Sequence, residues 1–251
     1  MNRARHAGLS DPGLTHAGNE DRWLADPDFG LFLVSDGMAD PVAPQMVVDL
    51  LPDLLRHGLS DSAAVPTDVE GRLQAALAQL NRQVRQESTR RTGLPGDLGA
   101  TLVLVLLRAG RAVVAHLGDS RVYLCRDARL EQLTRDHSYV QKLLDEGRLT
   151  PAEAAICWGN GGPTRYIGMP GEPQADVRWL DLRPGDQLLL CSDGLTGDVK
   201  DAELEALLSR GLPPDAVCRL LIDTANAAGG HDNITALVIQ VGGDGPGRVH
   251  E

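Results

Sequence analysis

Residues 101–125 read TLVLVLLRAGRAVVAHLGDSRVYLC. Three short apolar runs, 101–107, 112–117 and 121–125, are separated by turn chemistry: Arg-Ala-Gly-Arg at 108–111 and Gly-Asp-Ser at 118–120. Links this short join antiparallel neighbours, because a parallel pair needs a crossover of roughly a dozen residues or more. The stretch is therefore expected to form an antiparallel meander, which argues against a βαβ series and for an α+β arrangement. Further runs at 31–35, 187–191 and 234–241 end at turn signals and read as additional strands.

Helical spacing is as clear. Val69, Leu73, Leu77, Leu80 and Val84 recur every three or four positions. Shorter helices are predicted over 139–146, 202–209 and 214–228, each stopped by a glycine a few positions on. Residues 1–241 are read as one domain. Within it, 141–175 is expected to be a flexible flap, because glycine and proline crowd the stretch 159–173. Residues 242–251 read as a Gly-rich tail.

The 251 residues are 42% hydrophobic but only 3% aromatic, so the core must be built from Leu, Val, Ile and Ala. A net charge of −11 excludes a nucleic-acid or anionic-membrane surface as the main partner. There is no apolar run of about 18 residues, the length needed to cross a bilayer. Cys125, Cys157, Cys191 and Cys218 form no C-x-x-C pair, which disfavours a zinc ribbon or redox motif. A reducing, cytoplasmic setting is the expectation.

The chemistry is written in acids at strand ends. LFLVSDG at 31–37 and QLLLCSDG at 187–194 are each an apolar strand that stops at Asp-Gly. They put Asp36 and Asp193 at matching positions. Asp119 follows the run 112–117, Asp232 precedes the run 234–241, and Glu20 and Asp21 lie in GNED at 18–21. A single Asp-Gly is ordinarily a turn former. Five such sites are more than turns require. Brought to one edge, the carboxylates repel, and cations are needed to hold them. Oxygen donors suit magnesium, manganese or calcium better than zinc or copper. The alternating acids of an EF-hand loop are absent.

These residues carry a resemblance. GNED, LFLVSDGM at 31–38, GATLVLVLL at 99–107 and HLGDSRVYL at 116–124 occur in order with LEQLTRDHS at 130–138 and TRYIG at 164–168. LRPGDQLLLCSDGL at 182–195 and GGHDNITALVI at 229–239 complete the set. Together they resemble the bacterial metal-dependent serine/threonine protein phosphatases of the protein phosphatase 2C type, over nearly the whole chain. The resemblance implies an αββα sandwich of two antiparallel sheets flanked by helices, with metals in a cleft at one edge. It implies that Asp36 bridges two ions, Mn2+ or Mg2+, that the Gly37 carbonyl binds the first, and that Asp193 and Asp232 bind the second. Asp119 with Asp193 matches a third, weaker position. Glu20 and Asp21 are implied nearby, holding waters, with Asn233 orienting the site. Water activated between the cations then hydrolyses phosphoserine or phosphothreonine with no covalent phosphoenzyme. The implied partners are phosphoproteins, by analogy those of a bacterial serine/threonine kinase. None of the cysteines is followed by Arg after five residues, so the cysteine-phosphatase mechanism does not apply.

The chain departs from the family pattern twice. His16 stands where relatives carry a phosphate-gripping Arg, and Arg22 and Arg165 are alternatives for that task. After Asp36, DGMADPVAPQ replaces a glycine-rich turn, and its two prolines stiffen the entry to the next helix. His137 in RDHS reads as a structural histidine bonding backbone near the flap in preference to a general acid. The competing function is a pseudophosphatase that binds phosphoproteins without turnover. The retained Asp36, Asp193 and Asp232 favour the enzyme.

Overall fold

The computed structural model describes residues 4–38, 40–58, 66–154 and 161–242. Two five-stranded antiparallel sheets face each other. The first contains β1 (Arg5–Asp11), β6 (Arg121–Arg126), β7 (Arg129–Gln132), β9 (Gln187–Cys191) and β10 (Ile234–Gln240), in the order β1-β10-β9-β6-β7. The second contains β2 (Arg22–Asp26), β3 (Leu31–Ser35), β4 (Leu102–Arg108), β5 (Arg111–Leu117) and β8 (Asp176–Asp181), in that order.

The layering follows from side-chain alternation. On β4, Val103 and Val105 face the opposite sheet, where they meet Val122, Leu124, Leu188, Leu190, Leu237 and Ile239. Leu102, Leu104 and Leu106 face outward, onto helices α1 (Val42–Gly58) and α2 (Pro66–Thr92). On the other side, Leu189, Cys191, Ala236 and Val238 pack against α5 (Asp193–Asp198), α6 (Asp201–Leu208) and α7 (Pro214–Ala228). Both faces of the central strands are thus dry. That is why they read as continuous apolar runs and not as an apolar/polar alternation. Cys125, Cys191 and Cys218 are buried free thiols. Cys157 lies outside the described residues, as does the tail beyond Gly242. Helix α3 (Tyr139–Asp145) and the short α4 (Pro151–Ala154) lie between β7 and β8. No helix among the described residues is long and apolar enough to cross a membrane.

The expected meander over 101–125 is corrected in its second half. β4 and β5 form the hairpin as read, with Leu107 opposite Ala112. β6 does not continue that sheet: it pairs with β7 and β9 in the other one. Gly118, at φ +102°, turns the chain from one sheet into the other. A Cβ there would lie 2.7 Å from Thr101 Cγ2, so the crossing needs glycine on two counts. The crossing sets Asp119 at the shared end of both sheets. The turn after Asp36 is also resolved by local chemistry. Asp40 accepts a hydrogen bond from the Val42 N–H (2.7 Å), and Pro44 falls in the first turn of α1, where a missing N–H costs nothing.

Candidate functional site

Each sheet delivers an aspartate by the same device. β3 ends in Ser35-Asp36 and β9 in Cys191, followed by Ser192-Asp193. The two serines are buried and lock the strand ends: Ser35 Oγ donates to Thr101 O (2.7 Å), and Ser192 Oγ donates to Asp21 Oδ2 (2.6 Å) while accepting from Thr235 N (3.0 Å). Asp36 is held by backbone as well, its N–H donating to Thr101 Oγ1 (3.1 Å) and its carbonyl accepting from Thr101 N (2.9 Å). Neither serine was singled out by sequence reasoning. The signal was present, as the residue before each Asp-Gly.

The predicted acids converge. The Asp36 and Asp193 carboxyls lie within hydrogen-bonding reach of each other, and Asp21 reaches Asp36 in the same way. Asp21 and Asp119 are buried, at 2% and 4% exposure. Burial pushes the Asp36 carboxyl well above the usual carboxylate range, and the charges of Asp21 and Asp193 push it further. Burial likewise raises Asp193, with the charge of Asp232 adding to it. Asp21 is pushed up to about 7 by burial, against the lowering effect of its Ser192 hydrogen bond. Asp119 is pushed up to about 7 by burial and by the charge of Asp193. Asp21 Oδ1 is buried and has no hydrogen-bond partner. An orphaned carboxylate oxygen inside a cluster of carboxyls is the signature of a missing cation or its water shell. The donors are all oxygens, so the residues present fit Mn2+ or Mg2+.

The remaining predicted residues border this cluster. Asp232 sits half-exposed beside Asp193, and its carboxylate accepts from the N–H of Asn233 (2.7 Å). Asn233 knits the site together: its Oδ1 accepts from Glu20 N (2.7 Å), and its Nδ2 donates to Pro12 O (2.9 Å) and Gly18 O (3.0 Å). Gly37 lies beside Glu20 and Pro44. A Cβ on it would meet Asp40 O at 2.8 Å and Glu20 Cβ at 3.0 Å. His16 Nε2 stands 3.5 Å from Asp232 Oδ1. The two alternative cations are engaged elsewhere. Arg22 donates to Gln45 Oε1 and to the carbonyls of Asn19 and Asp21, and Arg165 pairs with Asp176 (2.9 Å).

Sequence reasoning missed three features nearby. Arg121 and Asp136 form a buried bidentate pair, Nε to Oδ1 at 2.9 Å and Nη2 to Oδ2 at 2.7 Å. His231, next to Asp232, bonds Asp198 through Nδ1 (2.7 Å). A groove of about 740 Å³ runs from Asp193 and Asp232 past His231 to Lys200, with Val140 and Leu144 of α3 among its lining residues. Residues contributed by distant segments leave no local pattern, so the acids at strand ends announced the site and these three partners did not. His137, by contrast, meets the expectation of a structural histidine, bonding the backbone of Gly118 and Thr164.

Known proteins share this arrangement. The protein phosphatase 2C family model matches residues 19–228. The serine/threonine protein phosphatase PstP of Mycobacterium tuberculosis is 36% identical over 244 residues, 94% of this chain. This chain spans about half, 45%, of that relative's length. A serine/threonine phosphatase, stp, of Listeria monocytogenes is 33% identical over 214 residues, covering 84% of each chain. The crystal structure of the catalytic domain of PstP in complex with two manganese ions superposes with a TM-score of 0.79 at 35% identity, covering 96% of this chain and 99% of that one. Ordered motifs, a two-sheet sandwich and matches of this extent lead to one conclusion: the chain belongs to the protein phosphatase 2C family.

Proposed function

We propose that this domain hydrolyses phosphoserine and phosphothreonine esters in proteins, at a centre of two divalent cations, Mn2+ or Mg2+, with a third and weaker position. The observation that carries the reading is the contact of Asp36 with Asp193, two carboxyls from different sheets, with buried Asp21 and Asp119 beside them. Such a cluster is costly to keep without cations. The manganese complex of PstP supports the choice of ion.

In this reading Asp36 would hold both ions, with the Gly37 carbonyl as a further donor to the first. Asp193 and Asp232 would hold the second, and Asp119 with Asp193 would offer the third position. Glu20 and Asp21 hold water around the ions. When bound, the cations neutralise charge on the phosphoryl oxygens and lower the pKa of water toward neutrality. The chain's own residues orient that centre: Ser192 fixes the Asp21 carboxylate, and Asn233 fixes the backbone of Glu20. His16 contacts the substrate phosphate. Its imidazole stands beside Asp232, while Arg22 and Arg165 are committed to other partners. The segment 141–175 serves as a flap over the cleft. The substrates are phosphoproteins, with a serine/threonine kinase of the same cytoplasm as the opposing enzyme.

The deciding experiment is hydrolysis of p-nitrophenyl phosphate and of a phosphothreonine peptide, with manganese and with chelator. Manganese-dependent turnover that falls at least ~100-fold in Asp193→Ala, about 2.7 kcal/mol of barrier, is the expected result. A wild-type protein that binds manganese and phosphopeptide yet turns over neither substrate is the pseudophosphatase, and the hydrolase reading is then wrong.

A further inference from the structure

His137 connects segments that are distant in sequence. Its backbone N–H donates to Gly118 O (2.9 Å), and its carbonyl accepts from Thr164 N (2.6 Å). Its ring is 8% exposed and stacks on His116, with centroids 4.4 Å apart and planes 14° from parallel. Nδ1 lies 3.4 Å from the Gly118 N–H, so it is the acceptor, which leaves the ring proton on Nε2. Nε2 faces Asp176 Oδ2 at 3.3 Å. The Arg165 guanidinium is 3.3 Å from Nε2 and 2.9 Å from Asp176 Oδ1. A cation thus already sits among His116, His137 and Asp176. Parallel imidazoles also cannot aim their lone pairs at one ion, so the trio is knit as a structural cluster and not as a second metal centre.

The position of this cluster matters more than its composition. Gly118 immediately precedes Asp119, in the turn that crosses between the sheets. Ser138, next after His137, caps α3, its Oγ accepting from Gln141 N (3.1 Å). The return of the flap is pinned to the same place: Tyr139 N donates to Gly162 O (3.3 Å), and Ser138 bridges to Pro163. One residue therefore ties both ends of segment 138–164 to the Asp119 turn.

We propose that His137 is a positioning residue: its ring, stacked on His116 and accepting from the Gly118 N–H, holds the turn that carries the Asp119 carboxylate. This rests on Asp119 being a ligand. Partners of this kind that hold a ligand in place change metal affinity by roughly 10–100-fold when removed.

The test is direct Mn2+ binding by calorimetry and by electron paramagnetic resonance, on the full chain, for His137→Ala, His137→Asn, Asp119→Asn and the Ala/Asn double variant. His137→Ala is expected to weaken only the weakest-bound Mn2+, by about tenfold or more, leaving the tighter ions unchanged. His137→Asn keeps an acceptor for the Gly118 N–H and is expected to recover part of the loss. In the Asp119→Asn background, His137→Ala is expected to change nothing further. If Asp119→Asn weakens Mn2+ binding and neither His137 variant does, the positioning role is overturned and the ligand reading stands. If Asp119→Asn binds like the wild type, both fall. Should His137→Ala fail to fold, the Asn variant alone decides, by the same comparison with Asp119→Asn.

Discussion

Asp119 shows how one residue carries opposing demands. In the ion-free protein its carboxyl is raised to about 7, chiefly by burial. Unfolded, it titrates near 3.8. Between those values the folded state binds more protons than the unfolded state, so the stability this group contributes is present at low pH and is lost as pH rises from about 4 through 7. Asp119→Asn removes that penalty. It is expected to stabilise the chelated protein at pH 7.5 by on the order of 1–3 kcal/mol, with little effect at pH 4. The same change replaces the carboxylate of the proposed ligand with a neutral amide, so the benefit is expected to reverse in excess manganese. Thermal melts at the two pH values, with chelator and with manganese, check both signs. Equal melting of variant and wild type in chelator at pH 7.5 would mean the Asp119 environment is wetter than the fold implies.

At the scale of elements, the site depends on how closely two strand ends approach. Gly194 is the second residue of α5, directly after Asp193, and a Cβ on it would fall 2.1 Å from Asn233 O and 3.2 Å from Asp232 Cβ. The glycine lets the start of α5 approach the segment entering β10, and on the proposed reading that approach lets Asp193 and Asp232 share an ion. Gly194→Ala forces backbone apart. It is expected to cost about 1–3 kcal/mol of stability and to lower manganese-dependent kcat/KM at least tenfold. Melts and steady-state kinetics measure the two effects. Stability lost with kinetics unchanged would show that the Asp193–Asp232 spacing is not critical. The crossover at Gly118 belongs to the same scale. The hairpin of β4 and β5 was legible from its four-residue link. The departure of β6 was not, because a three-residue Gly-Asp-Ser link suits a tight turn within one sheet as well as a crossing between two.

For the whole molecule, the two sheets meet through one apolar layer and converge at one end in a patch of like charge. The core supports this concentration of unfavourable charge, which the proposed cations would relieve. A manganese ion that binds the folded protein and not the unfolded chain adds its binding free energy to folding. At a concentration 100 times its Kd the gain is about 2.7 kcal/mol, which for a chain of this size is several degrees in Tm. A rise in Tm that grows with manganese concentration in the wild type and is largely abolished in Asp36→Asn is the expected pattern. A shift of the same size in both proteins would place the stabilising ion elsewhere.

The chain alone declared its six most apolar strands, its principal helix, its core composition and the acids that converge. Period-2 and period-3.6 patterns, and an Asp-Gly after an apolar run, are local features enforced by backbone geometry. The weaker strands β1, β2, β7 and β8 escaped notice because half-exposed edge strands carry mixed polar residues, and α1 was expected without bounds because its entry is disguised by Asp40, Pro41 and Pro44. Tertiary structure alone decided that β6 changes sheet, that Ser192 grips Asp21, and that His137 joins the Gly118 turn to Thr164. Each of these is a contact across dozens of residues or a choice between two equally short turns. Such choices are settled by which apolar faces must be buried together, and no local stretch of sequence encodes that.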